Sequence, residues 1–348
     1  MTISHEELQL ATRNHGTPLE ALRWDVTPVG LHYLLVHYDV PVVDLAGWRL
    51  GIGGAVERAL ELSLDDLRMR ETVTEPVTME CAGNGRALLD PTPVSQPWLR
   101  EAVGTGEWTG TPLRGLLDEA GVQEGAVEVV FTGLDRGVEG GQEQLYARSL
   151  PLADALGPGP LLAWGLNGHA LPPQHGFPLR LLVPGWYGMT SVKWLAAIEV
   201  VREPFGGYQN VTGYRLRASE DDPGVPVTRM MPRALMAPPG IPDFMSRRRF
   251  LDAGPVTVAG RAWSGWGDVE SVEFAVDGRW RPARLGDPAG PHAWRAWSVE
   301  WDAAPGEHEI ACRCSDAAGN AQPEAPPWNV GGYANNAVQR VPVTVRDA

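Results

Sequence analysis

The residue types that could do chemistry concentrate in Val77-Thr78-Met79-Glu80-Cys81-Ala82-Gly83-Asn84-Gly85-Arg86. An alternating apolar run delivers a cysteine onto a turn of small residues. Gly83, Asn84 and Gly85 suit positive φ and close approach of other atoms to the backbone. Arg86 places a permanent positive charge a few residues from the sulfur, which biases a thiol towards the thiolate that attacks electrophiles or binds metals. A free cysteine at a strand end is equally a small buried hydrophobe. The stretch by itself leaves both readings open.

Familiar cysteine and glycine chemistries fit poorly. Gly83-x-Gly85 follows a strand, but Leu88 stands where a dinucleotide fingerprint needs its third glycine, and no acidic partner follows at the right distance. There is no G-x-S-x-G elbow and no HExxH pattern. Cys312-Arg313-Cys314 would put both sulfurs on one face of a strand without a second pair to complete a zinc site, so it reads as packing. The other polar groups are Arg13-Asn14-His15, Asp135, His175 to Arg180, Ser191-Val192-Lys193-Trp194 and Tyr214. A lone thiolate with several arginines and a lysine suits a bulky anionic cofactor, because Arg offers paired planar donors and Lys a point charge.

The chain must supply elements to hold these groups. Its 348 residues imply two domains. Its apolar and charged fractions, 43% and 21%, are those of a globular protein. A net charge of −14 argues against a general nucleic-acid partner. Three cysteines without paired spacing fit a reducing compartment. No apolar run reaches membrane-span length. The start, Met1 to Glu7, lacks a signal-peptide pattern, so the expectation is a cytoplasmic protein, or a periplasmic one if an export signal has been removed.

Ser4 to Ala11 reads as a helix with Ser4 as N-cap and Glu7 as capping-box partner. Residues 33–59 read as strands and tight turns. Ser63 opens a short helix with its acids in the first turn. Trp108 to Gly121 reads as Thr cap, Pro at the first helical position, helix and Gly stop. Val127 to Asp135 is a strand, and Pro160 to Trp164 and Leu179 to Pro184 are two more that flank a stiff proline-rich loop, Leu171 to Pro178. Helices and strands mix without βαβ alternation, which is an α+β pattern. After about residue 225 the character changes. From Val256 to Val345 short strands alternate with turns such as Asp277-Gly278, the pattern of an all-β immunoglobulin-like sandwich. The predicted domains are 1–225 and 226–348. Fourteen tryptophans, six of them between 263 and 301, read as core or interface anchors.

Taken in order, these motifs resemble the sulfite oxidase family of molybdenum enzymes. They are Arg-Asn-His at 13–15, Cys-Ala-Gly-Asn-x-Arg at 81–86, Gly-Leu-Asp at 133–135, Asn-Gly-x-x-Leu-Pro-x-x-His-Gly-Phe-Pro-x-Arg at 167–180, Pro-Gly-x-x-Gly with Val-Lys-Trp-Leu at 184–195, and Ala-Trp-Ser-Gly at 262–265. The resemblance implies a molybdopterin-binding domain followed by an immunoglobulin-like dimerisation domain, and Mo-molybdopterin as cofactor. It implies Cys81 as the sole protein ligand of molybdenum. Asn14, His15, Asp135, His175, Arg180, Ser191, Val192 and Lys193 would hold the pterin and its phosphate. Arg13 and Arg86 would line an oxoanion pocket, and Tyr214 would be the active-site tyrosine. The implied reaction is oxidation of sulfite to sulfate, with electrons passed to a cytochrome or to oxygen, in a homodimer. Nitrate or sulfoxide reduction on the same scaffold, and a metal-free binding protein, are the alternatives.

Two departures stand out. Relatives carry a pocket arginine from the second domain, and the corresponding stretch here, Ala289 to Trp297, offers His292 and Arg295. The cysteine turn has Gly85 where many relatives have a second arginine.

Overall fold

The computed structural model describes residues 3–347. Met1 and Thr2, part of the N-terminal stretch read above, and Ala348 lie outside them. The first helix, His5–Arg13, begins as its sequence dictates: the Ser4 hydroxyl accepts from Glu7 N–H while the Glu7 carboxylate accepts from Ser4 N–H. Ser63 and Asp66 form the same reciprocal cap at Leu64–Arg68.

Two sheets carry the N-terminal part. One has the strand order Leu60–Leu62, Leu50–Gly54, Leu195–Val201, Glu128–Glu139, Gln142–Pro151. The other runs Val73–Glu80, Val103–Pro112, Leu161–Leu166, His169–Ala170, with Arg180–Leu182 also pairing with Leu161–Leu166. The helix Leu113–Ala120 buries Leu113, Leu116, Leu117 and Ala120, the i, i+3, i+4, i+7 set, into a core shared with Leu50, Ile52, Phe131 and Ile198. It starts later than the sequence reading placed it. Thr111 and Pro112 remain in the strand Val103–Pro112, because Thr111 still pairs with Leu162 and Pro112 with Leu161. Gly121 ends the helix in the left-handed conformation, as read.

Residues 33–49 differ from expectation. Only Leu50–Gly54 is a strand in the 33–59 segment; residues 33–49 pair with a neighbour only through the isolated bridge His15–Leu34. They serve another purpose: Tyr33, Leu34, Leu35 and His37 contribute to the wall of one cleft.

The C-terminal part is two sheets on one core. One orders Arg233–Ala237, Gly254–Trp263, Arg295–Ala303, Arg284–Pro288. The other orders Ile241–Pro242, Arg249–Asp252, Gln339–Arg346, Gly306–Asp316, Val269–Val276, Arg279–Pro282. Asp277 and Gly278, both at positive φ, turn Val269–Val276 into Arg279–Pro282. Cys312 and Cys314 are free, buried and on one face, packed with Phe274, Trp297 and Trp301. Trp263, Trp294, Trp297 and Trp301 are all buried within the chain, whereas Trp266 is half exposed.

The two parts meet at the cysteine turn. Arg233 of the second part forms a 2.7 Å ion pair with Glu80, the residue before Cys81, and their side chains are 2% and 0% exposed. The Trp263 indole N–H donates to the other Glu80 oxygen at 2.9 Å. From the loop 328–338, Ala334 N–H donates to Ala82 O at 2.8 Å and the Asn335 amide donates to Gly85 O at 2.7 Å.

Candidate active site

The strand Val73–Glu80 runs into the interior, its last four residues all buried, and ends against the second domain, so Cys81 emerges at a fixed point. Two glycines shape the turn after it. A Cβ on Gly83 would sit 2.5 Å from the Arg86 guanidinium, and Gly85 adopts φ +92 against Asn335. An arginine at 85 would need that left-handed backbone and would meet Asn335, which accounts for glycine there.

Cys81 opens into a cleft whose space, counting the part open to solvent, is about 650 Å³. Its walls include His32, Tyr33, His37, Met79, Asp135, Tyr146, His175, Arg180, Ser191, Lys193 and Tyr214. Stretches of chain around residues 81, 135, 175–193 and 214 therefore bring Cys81, Asp135, His175, Arg180, Ser191, Lys193 and Tyr214 to one place. Arg180 donates to the carbonyls of His175 and Ser191 at 3.2 and 3.0 Å and stacks over Trp108. Lys193 donates to Leu35 O at 2.7 Å and Gln174 O at 3.1 Å. The Ser191 hydroxyl accepts from Val183 N–H.

The remaining predicted residues lie elsewhere. Arg86 is buried behind the turn, donating to Gly331 O and Gln96 O at 2.8 and 2.9 Å, with its guanidinium over the Tyr333 ring. Its geometry braces the turn rather than lining the cleft. Arg13 ends the first helix, exposed, and donates to Tyr38 O. Asn14 is buried and structural: its amide donates to Leu10 O and Gln96 Oε1, and its oxygen accepts from Val36 N–H, fixing the segment that forms the cleft wall. His15 meets that segment through its backbone, and its side chain is exposed. Val192 packs into the first core. His292 bridges Val77 through its backbone, and Arg295 donates to Gly286 O and Val269 O; neither reaches the cleft.

Burial dominates the electrostatics. It raises the Cys81 pKa, against the opposing pull of the Arg86 charge, the Gly83 N–H and the Trp98 indole. Burial, with Arg180 adding like-charge repulsion, lowers Lys193 to about 7. Burial, His32 and Arg180 bring His175 to about 2. Arg180 itself falls to about 10. Burial lifts Asp135 to about 6, although the Lys193 charge pulls the other way. A site that holds a lysine and a carboxylate so far from their ordinary values is organised for a charged ligand.

Unpartnered atoms point the same way. His32 Nε2, Asp135 Oδ1 and Arg180 Nε are buried without a hydrogen-bond partner. His32 Nδ1–H donates to Tyr33 O at 3.1 Å, which leaves Nε2 as a bare acceptor. Buried polar atoms cost free energy unless something meets them. Among the described residues no group of three or more His, Cys, Asp or Glu could hold a metal ion. A metal here would bring most of its ligands with it and take one soft thiolate from the protein. The residues fit a molybdenum pterin: Cys81 to the metal, Arg180 and Lys193 to a phosphate, and His32 and Asp135 to ring heteroatoms.

The sequence reading missed His32, Tyr33, His37, Met79 and Tyr146. Four consecutive residues, His32 to Leu35, line the cleft with His37, so no two-residue spacing could have marked them. Tyr146 carried no sign either, since it alternates like any residue of its strand.

Comparison with known proteins agrees with this geometry. Residues 37–209 match the family model described as oxidoreductase molybdopterin binding domain, and residues 242–346 match the Mo-co oxidoreductase dimerisation domain. These define a molybdopterin-binding oxidoreductase. The chain is 36% identical over 349 residues to sulfite oxidase of Gallus gallus, covering 90% of this chain and 72% of that one. It is 35% identical over 343 residues to the mitochondrial sulfite oxidase of Macaca fascicularis, covering 92% of this chain and 62% of that one. An NADH nitrate reductase of Solanum lycopersicum is 32% identical over 352 residues, and the match spans only 38% of its length. The crystal structure of the sulfane dehydrogenase SoxCD from Paracoccus pantotrophus superposes with a TM-score of 0.83 at 25% identity, over 100% of this chain and 89% of that one. The chain belongs to the sulfite oxidase family of molybdopterin oxidoreductases.

Proposed function

We propose that this protein oxidises sulfite to sulfate and passes the two electrons to an external acceptor, a cytochrome or oxygen. The observation that carries the reading is the placement of the single Cys81 thiol in a cleft shared with Arg180, Lys193, His32 and Asp135, three of which keep unpartnered polar atoms. When bound, the molybdenum pterin supplies the two-electron, oxygen-atom chemistry. The chain's own residues do the rest. Cys81 anchors the metal as thiolate. Arg180 and Lys193 neutralise the anionic end of the cofactor, and Asn14 and Ser191 fix the walls by their backbone bonds. Tyr146 and Tyr214 place hydroxyl-bearing rings in the same cleft, with the Tyr146 O–H donating to Met189 O at 2.7 Å. Arg86 acts from behind the turn, where its charge favours the Cys81 thiolate, while Arg13 lies outside the cleft.

The second domain, which we read as an immunoglobulin-like sandwich, would form the homodimer. Nitrate reduction is the second reading. It is favoured by the nitrate reductase relatives and by the absence of His292 and Arg295 from the cleft.

Protein made in a host that builds the cofactor should carry about one molybdenum and one pterin per chain and reduce ferricytochrome c with sulfite. Nitrate-dependent oxidation of a reduced viologen without sulfite turnover would replace the first reading by the second. Cys81→Ser retaining full metal content and turnover would sink both.

A further inference from the structure

Oxidation of sulfite consumes one water and releases two protons with two electrons, and those protons must leave a largely buried site. One group of residues links the cleft to solvent. His37 forms part of the cleft wall, its ring centroid 5.2 Å from that of Tyr146 and 6.3 Å from that of Tyr214. Its Nε2 lies 3.1 Å from Glu139 Oε2. The side chains of His37 and Glu139 are 26% and 31% exposed, so the pair spans from the cleft to the surface.

The rest of the cluster fixes this pair. Tyr38 O–H and the Gln209 amide both donate to the same Glu139 oxygen at 2.6 Å, and Gln209 also donates to the Tyr38 hydroxyl at 2.8 Å. With three donors converging on Oε2, the carboxylate is held ionised: burial raises its pKa, but the hydrogen bonds from His37 and Tyr38 outweigh that and lower it. Gln209 is itself anchored, because Arg148 donates to its carbonyl. The Glu139 acceptor assigns the neutral His37 tautomer as Nε2–H, which leaves Nδ1 with a free lone pair. No residue of this cluster is needed for cofactor anchoring in the arrangement described above, and tight packing keeps it in place: a Cβ on Gly137 would lie 2.4 Å from the Tyr38 ring.

We propose that His37, positioned by Glu139, is the proton exit of this active site. A proton released at the substrate binds His37 Nδ1. The imidazolium is held against the Glu139 carboxylate. The proton is then lost to water at the exposed edge of the ring, which restores the neutral imidazole. Each cycle moves one proton outward with no change in redox state, and two cycles clear one turnover. The role rests on the sulfite-oxidation reading.

Several charged and titratable groups surround His37. Glu139 and Asp135 face it from the strand Glu128–Glu139, Tyr146 from Gln142–Pro151, Gln209 and Tyr214 from the segment around 209–214 with Arg148 over the Tyr214 ring, and Tyr38 from its own segment. Lys193 stands across the cleft beside Asp135. Of these, only Glu139 is an acid bonded to the ring.

The test uses the cofactor-loaded enzyme with sulfite and ferricyanide across pH 5 to 9. His37→Phe should lower kcat about 100-fold at pH 8 with the KM for sulfite unchanged, and added imidazole should partly rescue it. Glu139→Gln should lower kcat by less, again without a change in KM, because it removes only the group that orients the ring. A His37→Phe enzyme with wild-type kcat, or one that imidazole does not rescue, overturns the proton exit and leaves sulfite oxidation standing. A metal-loaded wild type inert towards sulfite overturns the oxidation reading and this role together.

Discussion

The cysteine turn and the cleft wall facing it satisfy their polar groups in different ways. Around the turn the partners are built in, and most come from the second domain: Arg233 and Trp263 on Glu80, Ala334 on Ala82, Asn335 on Gly85, and the Gly331 carbonyl on Arg86. On the facing wall, His32 Nε2, Asp135 Oδ1 and Arg180 Nε have no partner at all, and Lys193 is held at a pKa of about 7. One side is organised before any ligand arrives. The other carries a free-energy debt that a ligand with matching charges and hydrogen-bonding atoms would relieve. A thiol that serves as a metal ligand needs a fixed position, since a metal tolerates little displacement of its ligand, whereas a pterin side needs vacant valences. The second domain thus helps hold Cys81 in place, besides any part in dimerisation.

This contrast can be broken at its strongest point first. Arg233→Met leaves Glu80 buried without its counter-charge and should cost about 3–5 kcal/mol of stability, read from denaturant unfolding. An unchanged midpoint would mean that the second domain does not brace the turn. Next, Lys193→Met removes a charged contact to the ligand worth about 1.5–3 kcal/mol, roughly 10- to 100-fold in cofactor retention after dialysis. Because Lys193 is buried with a lowered pKa, the cofactor-free variant should be no less stable than the wild type; a clear loss of stability would make Lys193 a structural residue.

Asp135 gives the pH arm. Its folded pKa, about 6, lies above its ordinary value of 3.8, so the folded state holds the extra proton between those limits. Stability attributable to this group is therefore fully present below about pH 4 and lost as pH rises through 6. Asp135→Asn should stabilise cofactor-free protein by about 1–3 kcal/mol at pH 8 and by little at pH 4, while weakening cofactor retention. A pH-independent effect would contradict the debt assigned to this wall. The smallest effect belongs to Trp263→Phe, which removes one hydrogen bond to Glu80 and should cost about 1 kcal/mol with the metal content unchanged.

Much of the fold was legible because its signals are local. Ser4 with Glu7 and Ser63 with Asp66 are caps defined within four residues. Asp277-Gly278 marks a hairpin by its own backbone needs, and the alternation of Val272, Phe274 and Val276 shows which face is buried. The helix start at Leu113 was misread because Thr111 and Pro112 answer to strand Leu161–Leu166, some fifty residues away. Site legibility divides in the same way. Cys81, Asp135, His175, Arg180, Ser191, Lys193 and Tyr214 do share a cleft, but the sequence could not show that Arg86 is tied to Gly331 and Gln96, or that Asn14 spends its amide on Leu10 and Gln96. It could not show either that His292 and Arg295 lie away from the cleft while Tyr333 stacks on Arg86.

By itself the sequence pointed to the kind of chemistry: one cysteine on a glycine turn, with arginines and a lysine suited to an anionic cofactor. It also determined where the chain passes from mixed elements to pure sheet. These depend on residue type and short-range spacing, which folding does not alter. Only the tertiary structure decided which polar atoms remain unsatisfied. That quantity depends on neighbours from distant segments and on the exclusion of water. The same cysteine turn that first suggested a reactive thiol is, in three dimensions, a thiol held in place by a second domain.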